Sequence, residues 1–235
     1  MKIEIHSSQE RGTADYGWLH TRHSFSFANY YNPKRMGFGK LGVLNEDIIE
    51  PGQGFPTHSH DNMEIITIVL EGALEHRDST GGHGIIKAGE VQRMSAGKGI
   101  EHSEYNHSRT GKVHLLQIWV ETKEKNIQPG YEQKKFTGEQ KRNKFLTIVK
   151  REKGKEWLYI HQNAVFSLCL LEKNKAVEYK TTWKGNGVYV FMVNGKAEIE
   201  GKKLGTGDAA AVTEANKIEI TALEKTELLA IEVPV

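Results

Sequence analysis

The chain of 235 residues contains a single cysteine, Cys169, so an internal disulfide and a thiolate zinc cluster are both excluded. Cys169 sits in Val165-Phe-Ser-Leu-Cys-Leu-Leu171 and reads as a small buried hydrophobe. No stretch approaches the roughly 20 apolar residues of a membrane helix. The start, Met1-Lys-Ile-Glu-Ile-His6, lacks the apolar run of a signal peptide. A soluble, cytoplasmic protein without a membrane partner is expected. Neither sign of charge dominates, with 32 basic against 30 acidic residues and a net charge of +2. That balance excludes the broad electrostatic attraction that nucleic-acid binders use, so no nucleic-acid partner is expected. Helical periodicity is scarce too.

What the chain has in quantity is glycine, 24 residues in all. The glycines punctuate short β-branched runs, among them Ile65 to Leu70, Val113 to Val120, Val188 to Val193 and Glu227 to Val233. Such spacing predicts an all-β sandwich or barrel. The two halves can be laid on each other. Val69-Leu-Glu-Gly72 matches Met192-Val-Asn-Gly195, each read as a hairpin turn, and Ala88-Gly-Glu90 matches Thr206-Gly-Asp208. His102 and Glu104 then fall on Ile220 and Ala222, and Val113 to Val120 falls on Thr226 to Val233. Two copies of one barrel are expected, residues 1–136 and 137–235, with the polar, lysine-rich stretch Glu121 to Lys144 as the connection.

Most of the 11 histidines have ordinary explanations. His6, His20, His23, His76, His83, His107, His114 and His161 are scattered and read as surface or core residues. His58 and His60 differ, because residues at i and i+2 of a strand share a face and two imidazoles can converge on one ion. His102 and Glu104 form a second pair of the same kind. Imidazoles plus a carboxylate suit a borderline divalent metal such as Fe(II), Ni(II), Co(II), Mn(II) or Cu(II), with zinc also in range. Four protein ligands leave open positions on an octahedral ion, which points to substrate binding or catalysis. The second copy carries Ile220 and Ala222 at two of these positions, and its counterpart of His58 and His60 is expected near Thr181 to Trp183. One metal site, in the first copy alone, follows.

Gly52-x5-His58-x-His60-x3-Glu64 resembles the first cupin motif, and the segment from Gly89 through His102 to Asn106 resembles the second. More narrowly, Met94-Ser-Ala-Gly-Lys-Gly-Ile-Glu-His-Ser-Glu-Tyr-Asn106 is similar to the pirin family. So are Trp18, His23-Ser-Phe-Ser-Phe-Ala-Asn-Tyr-Tyr31 and Glu64-Ile-Ile-Thr-Ile-Val-Leu-Glu-Gly72. The resemblance spans the chain and implies two tandem cupin (double-stranded β-helix) barrels packed together. It implies metal ligands His58, His60, His102 and Glu104, with Fe(II) the leading metal. Glu64 is the alternative carboxylate, since strand alternation would let it share the face of His60, but the pirin pattern favours Glu104. The implied reaction is opening of a flavonol ring of the quercetin type by O2 with release of carbon monoxide, in a monomer. Glu104 is expected to double as the base that takes the flavonol proton. Phe25, Phe27, Phe55 and Tyr105 are each read first as core residues and second as walls for a flat substrate. The competing reading is a pirin-type regulatory or interaction module that binds metal.

Overall fold

A computed structural model describes residues 1–235. The first part of the chain forms β1 (Lys2–His6), β2 (Gly12–Asp15), β3 (Leu19–His23), β4 (Leu41–Ile49), β5 (Gly54–His60), β6 (Met63–Glu71), β7 (Ala73–Asp78), β8 (His83–Lys87), β9 (Glu90–Ser95), β10 (Ile100–Asn106), β11 (Val113–Glu121) and β12 (Gly130–Lys135). The remainder forms β13 (Leu146–Lys150), β14 (Leu158–Tyr159), β15 (Val165–Leu171), β16 (Ala176–Lys180), β17 (Asn186–Asn194), β18 (Lys196–Ile199), β19 (Lys202–Gly205), β20 (Ala209–Thr213), β21 (Lys217–Ala222) and β22 (Thr226–Pro234). The β-branched runs supply the central strands, where such side chains pack well on a pleated surface.

Each half folds as a seven-stranded sheet facing a four-stranded one. The first pair has the orders β12-β9-β6-β11-β4-β3-β2 and β5-β10-β7-β8; the second has β1-β20-β17-β22-β15-β13-β14 and β16-β21-β18-β19. Strand for strand the central orders repeat, as two tandem cupin barrels require. The largest apolar core lies between the barrels, where Ile66, Ile68, Leu116 and Ile118 of one large sheet meet Phe166, Tyr189, Phe191 and Ile231 of the other.

Four sequence expectations change in the structure. The segments around Gly72 and Gly195 are not hairpins, because β6 and β7, like β17 and β18, belong to different sheets. They are corners, and both glycines have positive φ, +77° and +91°. The stretch expected as a connection contains β12, which pairs with β9 at the edge of the first large sheet. β1, counted with residues 1–136, pairs with β20 and belongs to the second barrel. Finally, the counterparts of His58 and His60 are Val177 and Tyr179. His58 pairs with His102 and His60 with Ile100, while Val177 pairs with Ile220 and Tyr179 with Ile218.

Candidate metal centre

Burial alternates along β10, with Ile100, His102, Glu104 and Asn106 buried and Glu101 and Tyr105 exposed. His102 and Glu104 therefore point into the first barrel. On the neighbouring strand His58 lies directly opposite His102, and the register slips before Glu104 meets Phe55. The rings of His58, His60 and His102 gather with centroids 4.4–5.0 Å apart. A nitrogen of each lies within 4.8 Å of the others.

Hydrogen bonds fix which nitrogens are free. His58 Nδ1 lies 2.8 Å from the Pro56 carbonyl oxygen, which can only accept, so Nδ1 carries a proton and Nε2 is the nitrogen left for a metal. Behind His102 stands a buried pair that the sequence reading passed over. His76 Nε2 is 3.0 Å from Asp78 Oδ2, and His76 Nδ1 is 3.4 Å from His102 Nδ1. Burial pushes the Asp78 carboxyl up, but hydrogen bonds from Thr80, His76 and the Gly82 N–H outweigh this and hold it at about 2. An anionic Asp78 takes the His76 Nε2–H. His76 Nδ1 is then the acceptor for His102 Nδ1–H, and His102 Nε2 is left bare. That nitrogen is buried and has no hydrogen-bond partner. Burial and the charge of His58 push His60 down to about 4; burial and the neighbouring imidazoles push His102 down to about 3. Both rings are neutral at pH 7, as metal ligands must be.

Glu104 is buried within a polar group of its own. Its Oε2 accepts from Gln117 Nε2 at 2.7 Å and its Oε1 from Gln92 Nε2 at 3.3 Å, with the Thr67 hydroxyl 3.4 Å from Oε1. Burial pushes the carboxyl up to about 7 against the hydrogen bond from Gln92. Glu104 groups within 4.8 Å with His102 and His76 rather than with His58 and His60, so His102 belongs to both clusters. Three converging imidazoles, the partnerless His102 Nε2 and an adjoining carboxylate fit a borderline divalent transition metal.

Glu64 does not share the face of His60. β5 ends at His60, Asn62 turns the chain with φ +46°, and β6 begins in the other sheet. There Glu64 accepts from Ser95 Oγ at 2.9 Å and lies 3.4 Å from His161 Nδ1, a residue of the second half.

The histidines open onto a cavity of about 470 Å3 whose walls include Trp18, Phe27, Phe55 and Trp119. Its size and apolar lining suit a small aromatic ligand. Phe27 and Phe55 thus take part, whereas Phe25 is buried against Tyr189 and Tyr105 faces solvent. Trp18 and Trp119 were not singled out as walls. Nothing in their local pattern separates them from core residues.

Residues 4–120 match the family described as Pirin, and residues 147–233 match the quercetinase C-terminal cupin domain. Over 233 residues, 99% of each chain, the protein is 42% identical to a quercetin 2,3-dioxygenase of Escherichia coli K12. The chain belongs to the pirin family. A pirin-like protein of Caulobacter vibrioides is 38% identical, with 94% of this chain and 95% of that one covered. Among solved structures, the Escherichia coli bacterial pirin YhhW in complex with nickel(II) superposes with a TM-score of 0.93 at 40% identity, covering 99% of both chains. That a relative takes a divalent metal agrees with the donor chemistry found here.

Proposed function

We propose that this pirin is a metal-dependent dioxygenase that opens the central ring of quercetin-like flavonols with O2, releasing carbon monoxide and leaving a depside. The observation that carries the reading is the convergence of three histidines on an aromatic-walled cavity of ligand size. The name of the Escherichia coli relative supports the substrate. His58, His60 and His102 would hold one divalent ion, with Glu104 as the fourth ligand. The resemblance to pirins points to Fe(II), the nickel complex of a relative supports Ni(II) beside it, and imidazole and carboxylate donors suit either. When bound, such an ion supplies Lewis-acid polarisation of the flavonol 3-hydroxyl and 4-carbonyl oxygens and eases reaction with O2.

The remaining work falls to side chains. Trp18, Phe55 and Trp119 offer flat surfaces to a planar substrate and keep water away from it. Glu104 takes the 3-hydroxyl proton and so leaves the electron-rich flavonolate on which O2 acts. Gln92 and Gln117 orient its carboxylate. Metal-loaded protein mixed aerobically with quercetin should bleach the flavonol absorbance with one equivalent of carbon monoxide. Bleaching without carbon monoxide, or none with any of the metals named, would replace this reading with that of a metal-binding module. Glu104→Gln should lower turnover per bound metal by about 100-fold or more; a fall only in proportion to metal content would leave Glu104 a ligand and remove its role as base.

A further inference from the structure

Opposite the histidines the same cavity has a second polar wall. The histidines stand on the four-stranded sheet, in β5 and β10; Thr21 and Asp47 stand on the facing seven-stranded sheet, in β3 and β4, directly paired in register. Both line the cavity, and they are only 2% and 3% exposed. Asp47 Oδ1 and the Thr21 hydroxyl have no hydrogen-bond partner. A buried polar group left in this state is destabilising, so its retention calls for a reason.

The duplicated barrel shows that the fold does not require it. Leu115 of β11 pairs with Asp47, and its counterpart Leu228 of β22 pairs with Cys169. The position filled by a carboxylate in the first barrel is thus filled by a buried thiol in the second. The same holds for the floor beside Glu104. The Gln117, Thr67 and Gln92 row corresponds in register to Ala230, Val190 and Ala210. In the second barrel these positions are part of a closed apolar core. The polar residues of the first barrel follow its cavity, not its architecture. Gln117 and Gln92 are bonded to Glu104, which leaves Asp47 and Thr21 as the unassigned pair.

We infer that Asp47 and Thr21 form a specificity subsite that accepts a hydroxyl hydrogen of an aromatic ligand at the wall facing the metal-binding histidines. The inference rests on the reading of this cavity as the substrate site. A carboxylate can only accept, so Asp47 recognises a ring O–H and not an ether or a bare ring edge, while the Thr21 hydroxyl beside it can accept from or donate to the same ring oxygen. The aromatic walls hold the ring plane, and the pair fixes which edge of the ligand turns inward. The substrate class is narrowed to aromatics with a ring hydroxyl besides any group placed at the metal.

Two ligand pairs test this on the metal-loaded full chain without O2, with dissociation constants read from quenching of tryptophan fluorescence and metal content measured for every sample. Quercetin is compared with 3-hydroxyflavone, which lacks the other ring hydroxyls, and 2-naphthol with 2-methoxynaphthalene. The wild type should favour the hydroxyl-rich member of each pair by about 10-fold or more. In the near-isosteric Thr21→Val and in Asp47→Ala that preference should shrink to within about twofold, with metal content unchanged. Equal affinities in the wild type, or a preference that survives both substitutions, would overturn the subsite. Failure of both flavonols beside a preserved and substitution-sensitive naphthol preference would remove the flavonol reading and keep the subsite. Binding of none of the four would remove both.

Discussion

At the scale of single residues, the spacing i and i+2 was enough to bring His58, His60 and His102 to notice, because strand alternation is a local property. What lay beyond it were partners contributed by other strands. His76-x-Asp78 has the same spacing on β7, but its importance depends on β7 lying beside β10, which no local pattern states. The chain of Asp78 to His76 to His102 yields a prediction: Asp78→Asn removes the anion that holds the His76 proton on Nε2, and His102 loses its fixed tautomer. The metal dissociation constant, measured by competition with a chelator, should rise about 10- to 100-fold while the thermal midpoint of the metal-free protein changes little. An unchanged constant would mean that the pair only fills space. Another residue-scale prediction concerns Glu46, which accepts from Arg11 at 2.7 Å and lies 3.0 Å from His114 Nε2. Burial raises its carboxyl, but these partners prevail and hold it at about 2. Its stabilisation is therefore complete above the ordinary carboxylate range and is lost as pH falls from about 5 towards 2, on the order of 3 kcal/mol in all. Denaturant titrations of Glu46→Gln across that interval should show a flatter loss than the wild type; parallel curves would contradict the assignment.

At the scale of elements, β-branched runs and glycines were sufficient for the strands but not for the sheet each strand joins. A turn glycine looks the same whether the chain folds back into a hairpin or passes a corner between sheets. Register was misjudged for a related reason. Counting back from Gly72 and Gly195 puts His60 on Trp183, yet β5 and β6 are separated by two residues and β16 and β17 by five, Thr181 to Gly185. The longer loop accounts for three of the four positions between Trp183 and the true counterpart, Tyr179, which lies inside the closed core of the second barrel. The corner itself is testable. A Cβ at Gly72 would stand 2.5 Å from the Lys112 carbonyl oxygen with φ at +77°, whereas Gly81 has φ of +89° and open space around it. Gly81→Ala should cost about 1 kcal/mol, from backbone conformation alone. Gly72→Ala should cost clearly more, on the order of 2–4 kcal/mol, since backbone must also move. Equal losses in thermal unfolding would mean that the corner yields freely.

At the scale of the whole molecule, the two-barrel plan was legible because the order of glycine turns and final strands repeats. The division at residue 136 was less so, because it depends on which barrel each edge strand joins. β12 lies at one end of the first large sheet and β1 at the matching end of the second, next to β9 and β20. A fragment of residues 1–136 would expose Ile66, Ile68, Leu116 and Ile118 and leave β1 without its partner. It should aggregate, or bind an apolar dye strongly, when expressed alone. A monodisperse fragment with full metal affinity would show that the second barrel has another purpose.

The pairing of β1 with β20 also sets an order of events in time. Lys2 meets Thr213 and His6 meets Ala209, so β1 leaves the ribosome long before its partner β20 and must wait for it. The first barrel has all its own strands once β12 has emerged, and it can close around its cavity while the second is still being made. The second barrel cannot complete its large sheet until both β1 and β20 are present, and contacts of such long separation form slowly. A chain cut short during synthesis would thus carry the histidine cluster beside an apolar face and a loose strand, the kind of species that aggregates or is cleared by proteases. Only when β20 has been made does β1 enter the half that lacks the histidine cluster.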